Sequence, residues 1–349
     1  MTRTAVVVGA RGVIGSKLIE HLVGGGWDVI GLSRRGGPDG PGIRHLAVDL
    51  LDSDQPRAAA AAELSRATHV FYAAYQDRPR WSELVAPNVA MLQRVLGMVR
   101  QAPIEHVSLM QGYKVYGAHL GPFKTPARES DPPHLPPEFN VDQQDLLTQT
   151  AAERGFGWSA IRPSVVAGTT LGNPMNLAMV IGVFASLSRE LDVPLRFPGA
   201  PGAYGSLLEM TDADLLAKAT IWAATDPAAT NEAFNIANGD LFRWSELWPL
   251  IAQMFGIDVA PPLPMSLSEV MADKEPLWER LRARDALVAT YSDVSSWGFG
   301  DFVFSWDYDM FADTSKARRF GFHRSVDTVA MFERTFRDLQ EQRVLPRPR

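Results

Sequence analysis

The chain opens on an unbroken run of small and β-branched apolar residues, Thr4-Ala5-Val6-Val7-Val8. A run without alternating polar positions predicts a strand buried on both faces, as in a parallel sheet. It breaks at Gly9, and apolar residues then recur at Ile14, Leu18, Ile19, Leu22 and Val23, the spacing of a helix with one buried stripe. Further apolar runs predict strands over 27–33, 43–48, 69–74, 106–109 and 158–162, and helical patterns cover 79–100 and 141–154. Residues 117–138 are rich in glycine and proline and are expected as a loop or lid. Beyond residue 167 the order is less regular. Helices are expected near 176–191, 212–224, 244–255, 267–271 and 326–340, with a short strand at 233–236 rejoining the sheet. Strand alternating with helix in this way predicts an α/β fold built on a doubly wound parallel sheet, with a smaller C-terminal region sewn through it.

Gly9, Gly12 and Gly15 stand as Gly-x-x-Gly-x-x-Gly between the first strand and the first helix. That spacing suits a tight turn, close approach of backbone to a pyrophosphate, and close helix–strand packing; the helix then offers its first N–H groups to the anion. It points to dinucleotide binding on a Rossmann sheet, with Gly9, Arg11, Gly12, Val13, Ile14 and Gly15 as candidate contacts. The second strand delivers Ser33, Arg34 and Arg35 where an acidic residue would select NAD. Guanidinium groups suit a 2′-phosphate, and Arg11 adds a third charge, so NADPH/NADP is the expected cofactor. Asp49 and Leu50 end the third strand, placed to meet the adenine. Ala73 and Ala74 end the fourth and leave the cofactor room. Gln111, Pro163, Val165 and Val166 are further expected cofactor contacts. Tyr75, Phe123, Met175, Met179 (one helical turn past Met175), Phe184 and Tyr204 are candidate walls of an apolar substrate pocket. The expected division gives residues 1–167 to the dinucleotide-binding part, its sheet completed by about 206–240, and 168–205 with 241–349 to the substrate-binding or cap region.

Composition narrows the class. The chain has 349 residues, 46% hydrophobic and 21% charged, as in soluble globular enzymes. A formal net charge of −6 without a basic run argues against nucleic acid as the main partner. No apolar stretch is long and uncharged enough to span a bilayer, so no membrane partner is expected. There is no cysteine, and the seven histidines lack metal-site spacing, so neither disulfides nor a catalytic metal are expected. With the first strand starting at residue 4, a leader has no room before it, and a cytoplasmic location is the expectation. The partner expected is a small apolar carbonyl-containing substrate, with a homodimer as a candidate assembly.

Short-chain dehydrogenases usually carry Tyr-x-x-x-Lys, and this sequence has none. It has instead His106-Val107-Ser108-Leu109 followed by Gly112-Tyr113-Lys114-Val115-Tyr116, then Gly121-Pro122-Phe123. With Ser33-Arg34-Arg35, Arg162-Pro163, Met175-Asn176-Leu177, Thr211-Asp212-Ala213-Asp214-Leu215, Asn238-Gly239-Asp240 and Trp297-Gly298-Phe299-Gly300-Asp301, this block resembles the progesterone 5β-reductase and iridoid synthase family along nearly the whole chain. The resemblance implies an extended short-chain dehydrogenase fold and reduction of enones with NADPH. It also implies that Lys114 is the family's catalytic lysine. The family's tyrosine lies in an Asn-Phe-Tyr-Tyr-x-x-Glu-Asp motif, which here reads Glu138-Phe139-Asn140-Val141-Asp142-Gln143-Gln144-Asp145. Asn140 therefore stands in the tyrosine's place.

An amide donates a hydrogen bond to an oxyanion but does not surrender a proton at neutral pH. Hydride addition to a ketone leaves a strongly basic alkoxide that needs a proton at once. Conjugate addition to an enone leaves a delocalised enolate that water can protonate later. Reduction of an activated C=C, with Lys114 and Asn140 holding the oxyanion, is thus expected ahead of carbonyl reduction. If residues 114–116 are extended, Tyr116 shares a face with Lys114 and could replace the lost hydroxyl. The alternatives are a redox-neutral isomerase, cyclase or C–C lyase on the same scaffold, and a cofactor-sensing regulator. A redox-neutral site would use Lys114, Asn140, His119 or Asp142 on an enolisable carbonyl. Asp142 is otherwise expected to cap the following helix, and His119 to be a solvated loop residue.

Overall fold

A computed structural model describes residues 3–52, 57–135, 137–171 and 175–347. The chain divides into two units, the first comprising Met1–Ser164, Ala213–Ile236 and Ala312–Arg324. Its centre is a seven-stranded parallel sheet of β1 (Thr4–Val8), β2 (Asp28–Ser33), β3 (Ile43–Ala47), β4 (His69–Tyr72), β5 (His106–Met110), β6 (Gly157–Pro163) and β7 (Glu232–Ile236). The spatial order is β7-β6-β5-β4-β1-β2-β3. This is the doubly wound Rossmann architecture read from the sequence, including the late strand that rejoins the sheet beside β6.

The two faces of β1 show why its sequence carries no polar alternation. Val6 and Val8 enter one core with Ile30, Leu32, Val70, Leu92, Val95, Val107 and Leu147. Ala5 and Val7 enter the other with Leu18, Leu22, Val29, Phe71 and Ala217. With a side-chain period of two, a strand covered by helices on both sides needs apolar residues at every position. The covering helices include α1 (Val13–Gly24), α2 (Val85–Met98), α3 (Phe139–Arg154) and α4 (Ala213–Thr225).

Four expectations about this scaffold need correction. The helix expected over 79–100 begins only at Val85, after a 3-10 turn at Trp81–Glu83. Pro87 explains the late start, because proline fits the first turn of a helix but breaks its interior. Residues 312–324, expected in the cap region, return to the first unit. Lys316 there bonds Glu232 and the carbonyl of Ala233, and Phe320 packs on Phe234 at 5.4 Å. Of the span 206–240, only Ala213–Ile236 belongs with the sheet. The dinucleotide-binding part, expected to run to residue 167, ends its first stretch at Ser164, and Val165–Ala167 pairs with Met210–Asp212 in the second unit.

The second unit comprises Val165–Asp212, Ala237–Phe311 and Ser325–Arg349. Its helix Leu177–Glu190 is buried through Ser188. An aromatic cluster gathers Phe197, Trp244, Trp248 and Phe304, with Phe197 edge-on to both Trp248 and Phe304 at 5.3 Å. Asn238 Nδ2 donates to Thr328 Oγ1 at 3.0 Å, tying the helix Thr328–Glu341 to its neighbours.

Candidate functional site

The glycine turn is built by close backbone approaches. Gly9 has φ of +85°, and a Cβ there would lie 2.7 Å from the carbonyl oxygen of Ala73. A Cβ on Gly15 would lie 2.2 Å from the carbonyl oxygen of Gly9, so α1 rests on the end of β1 with no room for a side chain. Gly12 begins α1 in an extended conformation, no side chain caps the helix, and its first turn holds no acidic residue. A helix N-terminus left open in this way, of one positive sign, fits the diphosphate of a dinucleotide. Val13 is buried and Ile14 half-buried behind it.

Beyond β2, Arg34 and Arg35 are exposed, while Ser33 Oγ donates to the carbonyl of Gly36 at 3.0 Å. Arg11 reaches the same carbonyl at 3.5 Å, so a guanidinium and a hydroxyl converge on it beside the two exposed arginines. His45, which the sequence reading passed over, lies beneath them. It is in register with Gly31, and a Cβ on Gly31 would lie 2.8 Å from its Nδ1. Burial lowers its pKa, with Arg11 pushing the same way and Asp39 opposing. Asp49 turns Oδ1 onto the N–H of Leu51 at 2.8 Å, and Leu50 is buried with its carbonyl bound by Arg94. Ala73 and Ala74 are half-buried past the end of β4.

Lys114 sits in a 3-10 turn, Tyr113–Tyr116, between β5 and the long loop. Its Nζ donates to the Tyr75 hydroxyl at 3.1 Å and lies 5.0, 4.8 and 5.8 Å from the ring centroids of Tyr75, Trp81 and Phe139. The Tyr75 hydroxyl and the rings of Trp81 and Phe139 thus enclose one ammonium in an aromatic cage, in which a ring face attracts a cation through its quadrupole. Burial lowers the Lys114 pKa, while Asp77 and Glu138 act to raise it. The Tyr75 hydroxyl passes the charge on by donating to Asp77 at 2.9 Å. Trp81 reaches the cage because the 3-10 turn displaces it from the helix once expected there.

The 3-10 turn removes the argument for Tyr116 as a partner of Lys114. At three residues per turn, positions two apart point to different sides, whereas an extended strand would align them. The Tyr116 hydroxyl instead donates to Asn235 Oδ1 at 2.7 Å and accepts from Arg162 Nη1 at 3.0 Å. Arg162 also bonds Gln111 Oε1 through Nε at 2.9 Å, and Gln111 Nε2 donates to the Asn140 carbonyl at 2.7 Å. This buried polar chain fixes the backbone on which Asn140 rides.

Asn140 lies in the first turn of α3 and is 2% exposed. Its Nδ2 donates to Glu138 Oε1 at 3.0 Å and its backbone N–H to Glu138 Oε2 at 3.1 Å. The cap of α3 is thus Glu138, not Asp142, because the helix starts at Phe139, two residues earlier than the sequence pattern predicts. Burial pushes the Glu138 carboxyl up to about 7, against the lowering effect of Asn140 and Lys114. Glu138 is a second residue the sequence reading missed. Its signal was a glutamate at the helix entrance, where the family motif has asparagine. His119 packs edge-on against Trp81 at 4.9 Å and is not a solvated loop residue. Burial, with Lys114 beside it, lowers its pKa to about 4, so its ring is neutral at physiological pH.

The other substrate candidates divide between the two units. Phe123 lines a cavity of about 440 Å³ in the long loop, with Tyr116, Leu120, Lys124 and His134. In the second unit Met179 and Phe184 are buried on one helix, and Tyr204 packs on Phe197 at 5.2 Å. Met175 is 41% exposed. Asn176 caps that helix, so Met175 lies outside it and does not share a helical face with Met179. Among the described residues no cluster suited to a metal ion occurs, and no helix is long and apolar enough to cross a membrane.

Comparison with known proteins shows the family and the fold. The model of the PRISE-like Rossmann-fold domain matches residues 47–346. The chain is 34% identical over 325 residues to (S)-8-oxocitronellyl enol synthase of Camptotheca acuminata, covering 86% of this chain and 82% of that protein. It is 33% identical over 345 residues to 3-oxo-Delta(4,5)-steroid 5-beta-reductase of Arabidopsis thaliana, covering 91% of this chain and 87% of that one. Among solved structures, UDP-glucose 4-epimerase of Thermus thermophilus in complex with NAD shares the fold, with a TM-score of 0.68 at 20% identity over 97% of this chain and 99% of that chain. The chain belongs to the PRISE-like family of progesterone 5β-reductase and iridoid synthase relatives, enzymes of the short-chain dehydrogenase superfamily.

Proposed function

We propose that this protein is an NADPH-dependent reductase of an activated C=C in a small apolar enone or enal. The observation that carries the reading is that the caged Lys114 ammonium and the buried Asn140 amide both interact with Glu138, with no phenol in the tyrosine's place. Such a pair can hold a developing oxyanion, and its Asn140 member, unlike a phenol, has no proton to give up.

The bound nicotinamide would supply the hydride. Gly9, Gly12 and Gly15, with the first N–H groups of α1, would hold its diphosphate, and Arg11, Arg34 and Arg35 would favour a 2′-phosphate. Lys114 keeps a positive charge close to the substrate carbonyl, and Tyr75 and Asp77 hold that charge in place. Loss of one oxyanion donor costs on the order of 10²–10³ in rate. An enolate, already delocalised, tolerates that loss better than an alkoxide, which favours C=C over C=O reduction. Relatives named for enol synthesis and for steroid 5β-reduction are consistent with enone chemistry on this scaffold.

The test follows NADPH absorbance with a panel of enones, enals and saturated ketones. Oxidation confined to the conjugated substrates is expected. Silence across the panel overturns the reading, and product formed without any change in absorbance transfers the protein to the redox-neutral class.

A further inference from the structure

Two residues of the family motif are exchanged together in this chain: the asparagine position carries Glu138 and the tyrosine position carries Asn140. They bond each other through both Glu138 oxygens, in a site where Glu138 is 8% and Asn140 2% exposed. An ionised carboxylate only accepts hydrogen bonds, whereas a neutral carboxyl also donates one. A carboxamide carries a donor at one end and an acceptor at the other. Because the Asn140 backbone N–H occupies Oε2, a proton on Glu138 sits on Oε1, and the charge then selects which end of the Asn140 carboxamide faces that oxygen. With Nδ2 on Glu138, as here, Oδ1 is turned away; with a neutral Glu138 donating to Oδ1, Nδ2 is turned away.

We propose that Glu138 is a positioning residue that sets the polarity of the Asn140 carboxamide, presenting a donor to the substrate oxyanion when neutral and an acceptor that repels it when ionised. The inference rests on the reductase reading for its consequence in catalysis, but not for the flip itself. A midpoint near 7 for the carboxyl places the change in the physiological range. The groups around it are Lys114, which favours its ionised form, Tyr75, Asp77 and His119 about the lysine, and Asp142 further along the same helix. His119, with its pKa near 4, stays neutral through this window, and burial raises Tyr75 out of it. Lys114 is the one neighbour whose lowered pKa could imitate the effect, so the test must separate the two.

The direct measurement is NMR of the cofactor-free protein, following the Glu138 carboxyl carbon and the Asn140 side-chain NH₂ resonances from pH 5 to 9. Both are expected to shift with one midpoint near 7, and in E138Q the Asn140 shift should vanish. A static Asn140 signal, or one that still titrates in E138Q, overturns the proposal. The kinetic arm measures kcat/KM for a reducible enone, which reports ionisations of the free enzyme. The parent is expected to lose roughly 100-fold between pH 6 and 9, as one ionisation near 7 requires, while E138Q loses less than about twofold. A limb that persists in E138Q assigns it to Lys114 and contradicts the role of Glu138. If no enone is reduced at any pH the reductase reading fails, and the NMR titration still decides whether the amide flips.

Discussion

Gly15→Ala is the sharpest perturbation of the nucleotide cradle. Its new methyl would lie 2.2 Å from the Gly9 carbonyl oxygen, 2.8 Å from the Gly9 carbonyl carbon and 3.0 Å from Ala10 Cα, all backbone atoms that cannot swing aside. Ordinary contact begins near 3.4 Å, so α1 must retreat from β1 by about 1 Å at its first turn. Leu18 and Leu22 of the same helix are buried in a core with Val7 and Ala217, so the retreat opens packing as well. Overpacking of this kind costs about 1–3 kcal/mol of stability. Displacing the helix N-terminus weakens two or so charge-assisted N–H bonds to the diphosphate, and roughly a 10- to 100-fold loss of NADPH affinity follows. Gly24→Ala is the control. It ends the same helix, is exposed, and its methyl would meet nothing within 4 Å. Helix propensity alone then predicts a gain of up to about 0.5–1 kcal/mol with no change in affinity. Urea unfolding and a fluorescence titration with NADPH measure both variants. Parent-like affinity in Gly15→Ala, or an equal loss in Gly24→Ala, refutes the placement of the diphosphate.

Further outcomes can be checked on the same protein. Arg34→Ala with Arg35→Ala should lower NADPH affinity by roughly tenfold or more while leaving NADH within a few-fold, because only the 2′-phosphate uses those charges; equal losses for both nucleotides would contradict it. Lys114→Met should lower the enone reduction rate by on the order of 10²–10³ while the fold persists by circular dichroism. Glu138 should also leave a mark on stability. Its folded pKa near 7 lies above its ordinary 4.5, so the folded state binds the extra proton between these values. The resulting stability is complete below pH 4.5 and is lost as pH rises through 7, amounting to about 3 kcal/mol. Urea unfolding of the parent and E138Q at pH 5 and pH 8 should therefore differ in slope with pH, and parallel curves would contradict the raised pKa.

The glycine turn was legible in the sequence because it is local: turn, strand and helix are contiguous, and Gly9 and Gly15 meet backbone at the neighbouring strand end or within a few residues. The sheet was legible because β1, buried on both faces, leaves no polar position to mislead. Lys114 could be placed only through family resemblance, since nothing near it in sequence announces Tyr75, Trp81 and Phe139 around its ammonium. The strand assumed at 114–116 failed because Gly117, at φ of +79°, closes a 3-10 turn that apolar alternation does not encode. Glu138 escaped notice for a different reason. The sequence pattern starts the helix at Val141 and puts its cap on Asp142, and only burial, which outweighs the pull of Lys114, brings Glu138 near neutrality. Met175 and Met179 failed as a pair because Asn176 starts the helix between them.

The proposed reaction delivers hydride to a conjugated carbon while Lys114 and Asn140 hold the oxygen. The most direct measurement supplies NADPH deuterated at the transferring position and locates the label in the product by NMR. Deuterium is predicted at the carbon β to the carbonyl, with the carbonyl retained. Deuterium at the former carbonyl carbon, or a product carrying none, would contradict the central claim.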